Sequence, residues 1–181
     1  TIYAFSTENW NRPKEEVDAL MKLLTDYLKQ SVKKSKENNM QVKVIGDVSV
    51  LTPKMQDSII VLEEKTKNNT GLKFQVAINY GGRDEIIRGI KHLSTDLNEK
   101  NININDIDEQ LFNNYLDTAN IPDPDLLIRT SGERRLSNFL LWQLAYTEFY
   151  FTDVYWPDFN KEELIKAIVY YNNRDRRFGS L

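Results

Sequence analysis

Short runs of alternating apolar residues are separated by longer runs spaced as on a helix, and this exchange of period recurs at least four times along the chain. No other feature restricts the fold as much. Thr1-Ile2-Tyr3-Ala4-Phe5 suits a buried strand and is already under way at the first residue, with neither an initiator Met nor a cap before it. Earlier elements are therefore expected in the parent protein. Pro13, followed by Glu15 and Glu16, opens a helix with Val17, Leu20, Leu24 and Leu28 at helical spacing. Met40-Gln41-Val42-Lys43-Val44 alternates and stops at Gly46, and Thr52-Pro53 starts a helix with Met55, Ile59 and Leu62 on one face. Leu72, Phe74, Val76 and Ile78 form the next strand, ending at Asn79-Tyr80-Gly81-Gly82, and a helix follows from about Asp84. Leu126-Leu127-Ile128 reads as a compact buried strand and Glu148–Phe151 as strand-like. Residues 138–146 are expected to be helical, with Trp142 and Tyr146 in the core. Asn160 and Glu163 form a capping box for a last helix that turns Leu164, Ile165, Ile168 and Tyr171 inward. The pattern predicts one α/β domain with a largely parallel central sheet and helices on both faces.

Composition narrows the chemistry. The chain holds 40% hydrophobic and 28% charged residues, which is ordinary for a globular domain. A formal charge of −3 offers no global basic field, so no nucleic-acid partner is expected. There are no cysteines, which removes disulfides, thiol catalysis and thiolate metal sites. His92 is the single histidine; it sits mid-helix and reads as a packing or surface residue, so a Ser-His-Asp triad has little raw material. No apolar run approaches the ~18 residues of a membrane span.

Ligands of open α/β sheets bind beyond the carboxyl ends of the strands. Three strand ends carry polar clusters: Ser6, Glu8, Asn9 and Arg12; then Asn79, Gly81, Gly82 and Arg83; then Arg129, Ser131, Gly132, Glu133, Arg134, Arg135, Ser137 and Asn138. Parallel strands would bring these clusters to one edge. Arginine forks, hydroxyls and glycine-rich amides together suit phosphate or diphosphate. A guanidinium delivered by a core strand, as at Arg129, needs an anion, and Glu133 is the internal alternative. Asn79-Tyr80-Gly81-Gly82-Arg83 lacks the phosphate-loop and dinucleotide patterns, so it reads first as turn chemistry and second as a phosphate contact. Glu148 among aromatics is a surface strand residue or a ligand for a hard cation. Arg174, Arg176 and Arg177 are helix-end cations or a tail that reaches a neighbouring site.

Phe5-Ser6-Thr7-Glu8-Asn9-Trp10-Asn11-Arg12-Pro13, Asn79-Tyr80-Gly81-Gly82-Arg83, Ile128-Arg129-Thr130-Ser131-Gly132-Glu133, Arg135-Leu136-Ser137-Asn138-Phe139-Leu140-Leu141-Trp142-Gln143 and Trp156-Pro157-Asp158-Phe159 resemble the successive blocks of cis-prenyltransferases. Arg177-Phe178-Gly179 resembles the Arg-x-Gly ending of that family. The resemblance is to bacterial members that make undecaprenyl diphosphate, the lipid carrier of cell-wall synthesis. It implies a homodimer that condenses isopentenyl diphosphate onto farnesyl diphosphate in cis geometry with Mg²⁺. By the same resemblance, Arg129, Arg135 and Ser137 hold isopentenyl diphosphate, and Arg177 and Gly179 reach that group across the dimer. Glu148 takes part in Mg²⁺ binding. Ser6, Asn9, Trp10 and Arg12 close over the allylic substrate, with Asn9 helping proton removal. Met40, Leu72 and Phe74 are candidate walls for a growing chain, against ordinary core packing. A cytoplasmic location is expected, with room for contact at the inner membrane face because the product is a lipid.

The sequence departs from that family in two respects. The Asp-Gly-Asn-Gly-Arg-Trp-Ala block, whose Asp is the family's key catalytic residue, is absent from residues 1–181, and so is the His that follows it. The expectation is an active parent protein and an inactive fragment. Position 134 is Arg where some relatives carry His. The competing readings are a non-catalytic scaffold subunit of the same family and an unrelated phosphate-binding α/β module.

Overall fold

In the computed structural model, which describes residues 1–99 and 102–174, the period-two runs become strands, and every strand pairing among the described residues is parallel. The architecture is α/β, with parallel sheets flanked by helices. The chain divides into two units, Thr1–Asn120 and Ile121–Leu181.

The first unit is built around β3 (Lys73–Tyr80), with β1 (Ile2–Ser6) on one edge and β2 (Gln41–Ile45) on the other. Being central, β3 loses its edges to both neighbours, and its last four residues are all buried. Phe5, Val42, Val44 and Ile78 share a core with Val17 and Leu28 of α1 (Lys14–Glu37) and Met55, Ile59 and Leu62 of α2 (Pro53–Thr66). Each such side chain contributes about 1.5–3 kcal/mol by leaving water. The acids of the first turn of α1, Glu15 and Glu16, and the bases of its last, Lys34 and Lys36, match the helix dipole. Lys43 alternates with Val42 and Val44 and so leaves the opposite face of the sheet, where its Nζ donates to the carbonyl of Asp117. That face is served by α3 (Gly82–Glu99), whose Arg88 holds Asp117, and by α4 (Glu109–Asn113), capped by the Asp108 carboxylate on Leu111 N at 2.7 Å. His92 is exposed, as one of its two expected readings required.

The second unit pairs β4 (Leu126–Arg129) with β5 (Glu148–Phe151) and packs α5 (Lys161–Asn172) on β5. Several expectations fail here. Residues 138–146 form turns, not a helix, because Ser137, Asn138 and Leu140 take φ values of +51°, +63° and +44°. Tyr146 is 83% exposed, so it is no core residue. The β4 residues are half-buried, since a two-stranded sheet shields each strand on one edge only. On α5, Leu164, Ile165 and Ile168 are exposed and Ala167 is buried. The apolar residues of α5 occupy more of its circumference than β5 covers, and contact is made through the Tyr170 ring, 5.3 Å from that of Tyr150. Asn160 caps the helix by accepting from Glu163 N at 3.2 Å, but the Glu163 carboxylate pairs with Lys166 and does not complete the box.

Candidate functional site

The carboxyl ends of β1, β2 and β3 lie at one edge of the first sheet, because the strands are parallel. β1 runs directly into a 3-10 turn, Thr7–Asn11, which the Asn9 side chain stabilises by accepting from Ser6 N at 2.8 Å. Trp10 leans its ring edge-to-face on Phe5, with centroids 5.2 Å apart, and donates its indole N–H to Asn79 Oδ1 at 2.7 Å. Asn79 in turn donates from Nδ2 to the carbonyl of Asp47 at 2.8 Å, and its own carbonyl accepts from Asp47 N at 3.2 Å. One buried side chain thus joins the ends of all three strands. Its φ of +49° belongs to the left-handed region that Asn tolerates better than other side chains. Gly46 permits the close approach: a Cβ there would stand 2.2 Å from the carbonyl oxygen of Ile78. The ordering of this edge extends to Arg12, which pairs with Glu16 in the first turn of α1.

A buried polar network lies beside it. The Tyr80 phenol donates to Glu85 Oε2 at 2.6 Å, and Glu85 Oε1 accepts from Asp117 N at 2.9 Å. Asp117 takes a two-pronged contact from Arg88 at 2.8 and 2.7 Å and also accepts from Gly46 N at 2.9 Å. Arg88 Nε donates to Asp84 at 2.8 Å. Burial, and then the charge of Glu85, hold the Tyr80 phenol well above its ordinary range. The hydrogen bond to Asp117 outweighs burial and raises the Arg88 guanidinium further still. Asp47 is lowered, chiefly by the hydroxyl of Ser49, whose Oγ lies 2.6 Å from its carboxylate.

The second unit presents a different kind of strand end. After Arg129 the chain turns through Ser131 and Gly132, with φ of +66° and +69°, while Ser131 N and Gly132 N are held by the carbonyls of Val154 and Thr152 at 2.9 and 3.0 Å. Arg129 Nε is buried and has no hydrogen-bond partner. A buried guanidinium nitrogen left so is costly, unless an anion completes it. Glu133, the internal alternative, pairs with Arg135 instead. Arg134, Arg135 and Ser137 are exposed on the same turn.

Of the residues expected to act together, Ser6, Asn9 and Trp10 share the first edge, where Trp10 bonds to Asn79, and Arg129 leads into the turn that carries Arg135 and Ser137. Glu148 stands apart from Arg129. It pairs opposite Leu126, so the register sets it at the amino end of the strand pair, about 10 Å along the strand from Arg129. Its carboxylate accepts from Arg174 Nε at 3.0 Å, and that guanidinium sits 5.5 Å over the Tyr170 ring. Among the described residues no three His, Cys, Asp or Glu gather as metal ligands, so these residues do not by themselves fit a Mg²⁺ site. Arg177 and Gly179 lie outside the described residues. Of the candidate tunnel walls, Phe74 packs on the core, Leu72 is 61% exposed and Met40 is half-buried. Asp47, Glu85, Arg88 and Asp117 were not singled out from sequence. Gly46-Asp47 at a strand end was a usable signal, whereas nothing local marks Asp117, 71 residues from its Gly46 partner.

Comparison with known proteins covers the chain nearly end to end. The family model described as putative undecaprenyl diphosphate synthase matches residues 1–179. An isoprenyl transferase of Clostridium tetani is 55% identical over 181 residues, all of this chain and 71% of that protein. The ditrans,polycis-undecaprenyl-diphosphate synthase ((2E,6E)-farnesyl-diphosphate specific) of Micrococcus luteus is 51% identical over all of this chain and 73% of its own length. Among solved structures, lavandulyl diphosphate synthase from Lavandula x intermedia, in complex with dimethylallyl diphosphate, superposes with a TM-score of 0.94 at 42% identity, covering 99% of this chain and 78% of that one. A probable undecaprenyl diphosphate synthase from Campylobacter jejuni gives 0.87 at 41% identity, covering 98% and 81%.

Proposed function

The chain belongs to the undecaprenyl diphosphate synthase family, and on that premise we propose that it condenses isopentenyl diphosphate onto farnesyl diphosphate in cis geometry, lengthening the product toward undecaprenyl diphosphate. In each cycle a carbon–carbon bond forms between the allylic carbon and the terminal alkene carbon of isopentenyl diphosphate. The allylic diphosphate departs with its electron pair, and a proton leaves the isopentenyl unit. What the protein must supply is cationic stabilisation of diphosphate, shelter from water and an acceptor for that proton.

The observation that carries the reading is the buried, unpartnered Nε of Arg129 at the mouth of β4. A diphosphate oxygen would complete it, and Arg135 and Ser137 on the following turn would share that anion. Ser6, Asn9, Trp10 and Arg12 would serve the allylic substrate, with Asn9 assisting proton removal. Mg²⁺ would arrive with the diphosphate; Glu148 is the one expected ligand in this chain, and Arg174 occupies it. A homodimer is expected from the family resemblance, and the exposed Leu164, Ile165, Ile168 and Val169 of α5 are consistent with a covered face. Among the described residues no helix is long and apolar enough to cross a membrane, and any contact of the protein with a bilayer on release of the lipid product is expected to be peripheral.

The test is transfer of labelled isopentenyl diphosphate onto farnesyl diphosphate by the whole protein, with products resolved by chain length. Arg129→Ala should abolish most incorporation and weaken isopentenyl diphosphate binding while the fold persists. Unchanged incorporation would reject the assignment of Arg129. Absence of incorporation in the wild type, with the fold intact, would favour a scaffold subunit.

A further inference from the structure

We propose that Asn79 is a positioning residue: it fixes the indole of Trp10, and through it the 3-10 turn of residues 7–11, in the place from which that turn meets the allylic diphosphate. The inference rests on the proposed function only for its kinetic consequence. Its structural half stands on the hydrogen bonds of the first unit.

Two fixed neighbours constrain the side chain at position 79. Indole Nε1–H can only donate, and the carbonyl of Asp47 can only accept. The side chain between them must therefore offer an acceptor to Trp10 and a donor to Asp47, as the Asn79 amide does at 2.7 and 2.8 Å. The orientation of the amide is fixed by its partners. Asp would satisfy Trp10 and set a carboxylate against the Asp47 carbonyl, and a Gln side chain is one methylene too long for the same span. Gly would keep the left-handed backbone of +49° and lose both bonds. Asn79 is 5% exposed, whereas Trp10 is 41% exposed and is retained by this bond and by the Phe5 ring. The turn itself buries no residue, and the Asn9 cap on Ser6 N and the Arg12–Glu16 pair are further holds on it. Asp117, accepting from Gly46 N, braces the Asp47 side from the opposite flank.

The experiment has two readouts. The chain has three tryptophans, and Trp10→Phe identifies the indole proton of Trp10 in an NMR spectrum by its disappearance. In the wild type that proton should exchange with water slowly. Asn79→Gly should speed its exchange about tenfold, the effect of losing one hydrogen bond of typical net strength, and Asn79→Asp should leave it near the wild-type rate. Unchanged exchange in Asn79→Gly, or equal acceleration in Asn79→Asp, overturns the proposal. In the whole protein, Asn79→Gly should raise KM for farnesyl diphosphate by about the same factor while kcat changes far less. Adding Trp10→Phe to Asn79→Gly should then raise KM by a smaller factor than Trp10→Phe does in the wild type, because the two changes share one interaction. Multiplicative effects would mean that Asn79 acts through something other than Trp10. Should Asn79→Gly fail to fold, Trp10→Phe alone, which removes the donor from an exposed turn, must reproduce the KM increase or the proposal falls. A wild type that does not bind farnesyl diphosphate rejects the functional reading, while the exchange rates still decide the structural half.

Discussion

Two strand-end turns of this protein are built from the same polar residue types and come to opposite ends. Where β3 passes into α3, the side chains of Asn79, Tyr80, Glu85 and Arg88 each find protein partners, and Asn79, Tyr80 and Glu85 are nearly inaccessible. Where β4 ends, five residues between Ser131 and Leu140 take left-handed conformations, Arg134 and Arg135 are exposed, and a buried nitrogen of Arg129 is left without a partner. The first turn is finished by the fold alone. The second, on the proposed reading, is completed by an anion. A satisfied network stabilises and positions, while an unsatisfied one is a place for a ligand.

The contrast breaks first at Glu85. It is 1% exposed, and both its oxygens accept, from Tyr80 and from Asp117. Glu85→Ala strands a phenol and a backbone N–H in a dry site, and should lower unfolding free energy by about 3–5 kcal/mol. Urea denaturation measures it, and a loss near zero would mean the network contributes nothing. Glu85→Gln, which keeps one acceptor, should lose less. Next comes Arg129→Ala, with the opposite signature. Removing charge-assisted bonds to diphosphate should reduce kcat/KM for isopentenyl diphosphate about a hundredfold, equivalent to about 3 kcal/mol. The urea midpoint should barely move, since no protein bond of Nε is lost. A large drop in stability with intact activity would reverse the roles assigned to the two turns. Smaller again is Arg174→Ala, which deletes a half-exposed pair with Glu148 and a contact with the Tyr170 ring. It should cost about 0.5–1 kcal/mol by thermal unfolding.

Period and punctuation made the first unit legible in sequence: Gly46, Thr52-Pro53 and Asn79-Tyr80-Gly81-Gly82 all mark real boundaries. The second unit was read less well because its local signals mislead. Phe139, Leu140 and Leu144 look helical yet are buried by a chain of turns, since Ser137, Asn138 and Leu140 are left-handed. The apolar residues of α5 suggested an inward face, yet Leu164, Ile165 and Ile168 are exposed and Ala167 is the buried one. Family motifs named Arg129 and Trp10, but motif spacing carries no information about pairing. The resemblance gave Glu148 and Arg129 roles in one site, yet the β4–β5 register sets them at opposite ends of the strands. Asp117 was invisible for a related reason: its role consists of contacts with Gly46 and Arg88, which only the folded chain brings to it.

The finest test of the contrast is acid titration, because Asp47 in the first unit and Asp123 in the second are shifted in opposite senses. Asp47, in the first unit, is lowered from 3.8, first by the Ser49 hydroxyl. A lowered acid stabilises the folded state above its ordinary value, and that contribution is lost as pH falls through the depressed folded value. Asp123, in the second unit, is raised from 3.8 by desolvation, so its charge costs stability at neutral pH, and the cost disappears as the acid protonates. Asp47→Asn should therefore be less stable than wild type at neutral pH, by no more than about a few tenths of a kcal/mol for so accessible a group. Asp123→Asn should be the more stable. Both differences should shrink toward zero on acidification, that of Asp123→Asn by about pH 3.8 and that of Asp47→Asn at lower pH, where its depressed carboxyl at last takes its proton. Urea midpoints between neutral pH and the acid limit would show two curves approaching wild type from opposite sides. If both approach from the same side, the two units do not treat their carboxylates differently, and the distinction between a finished turn and a waiting one must rest on Glu85 and Arg129 alone.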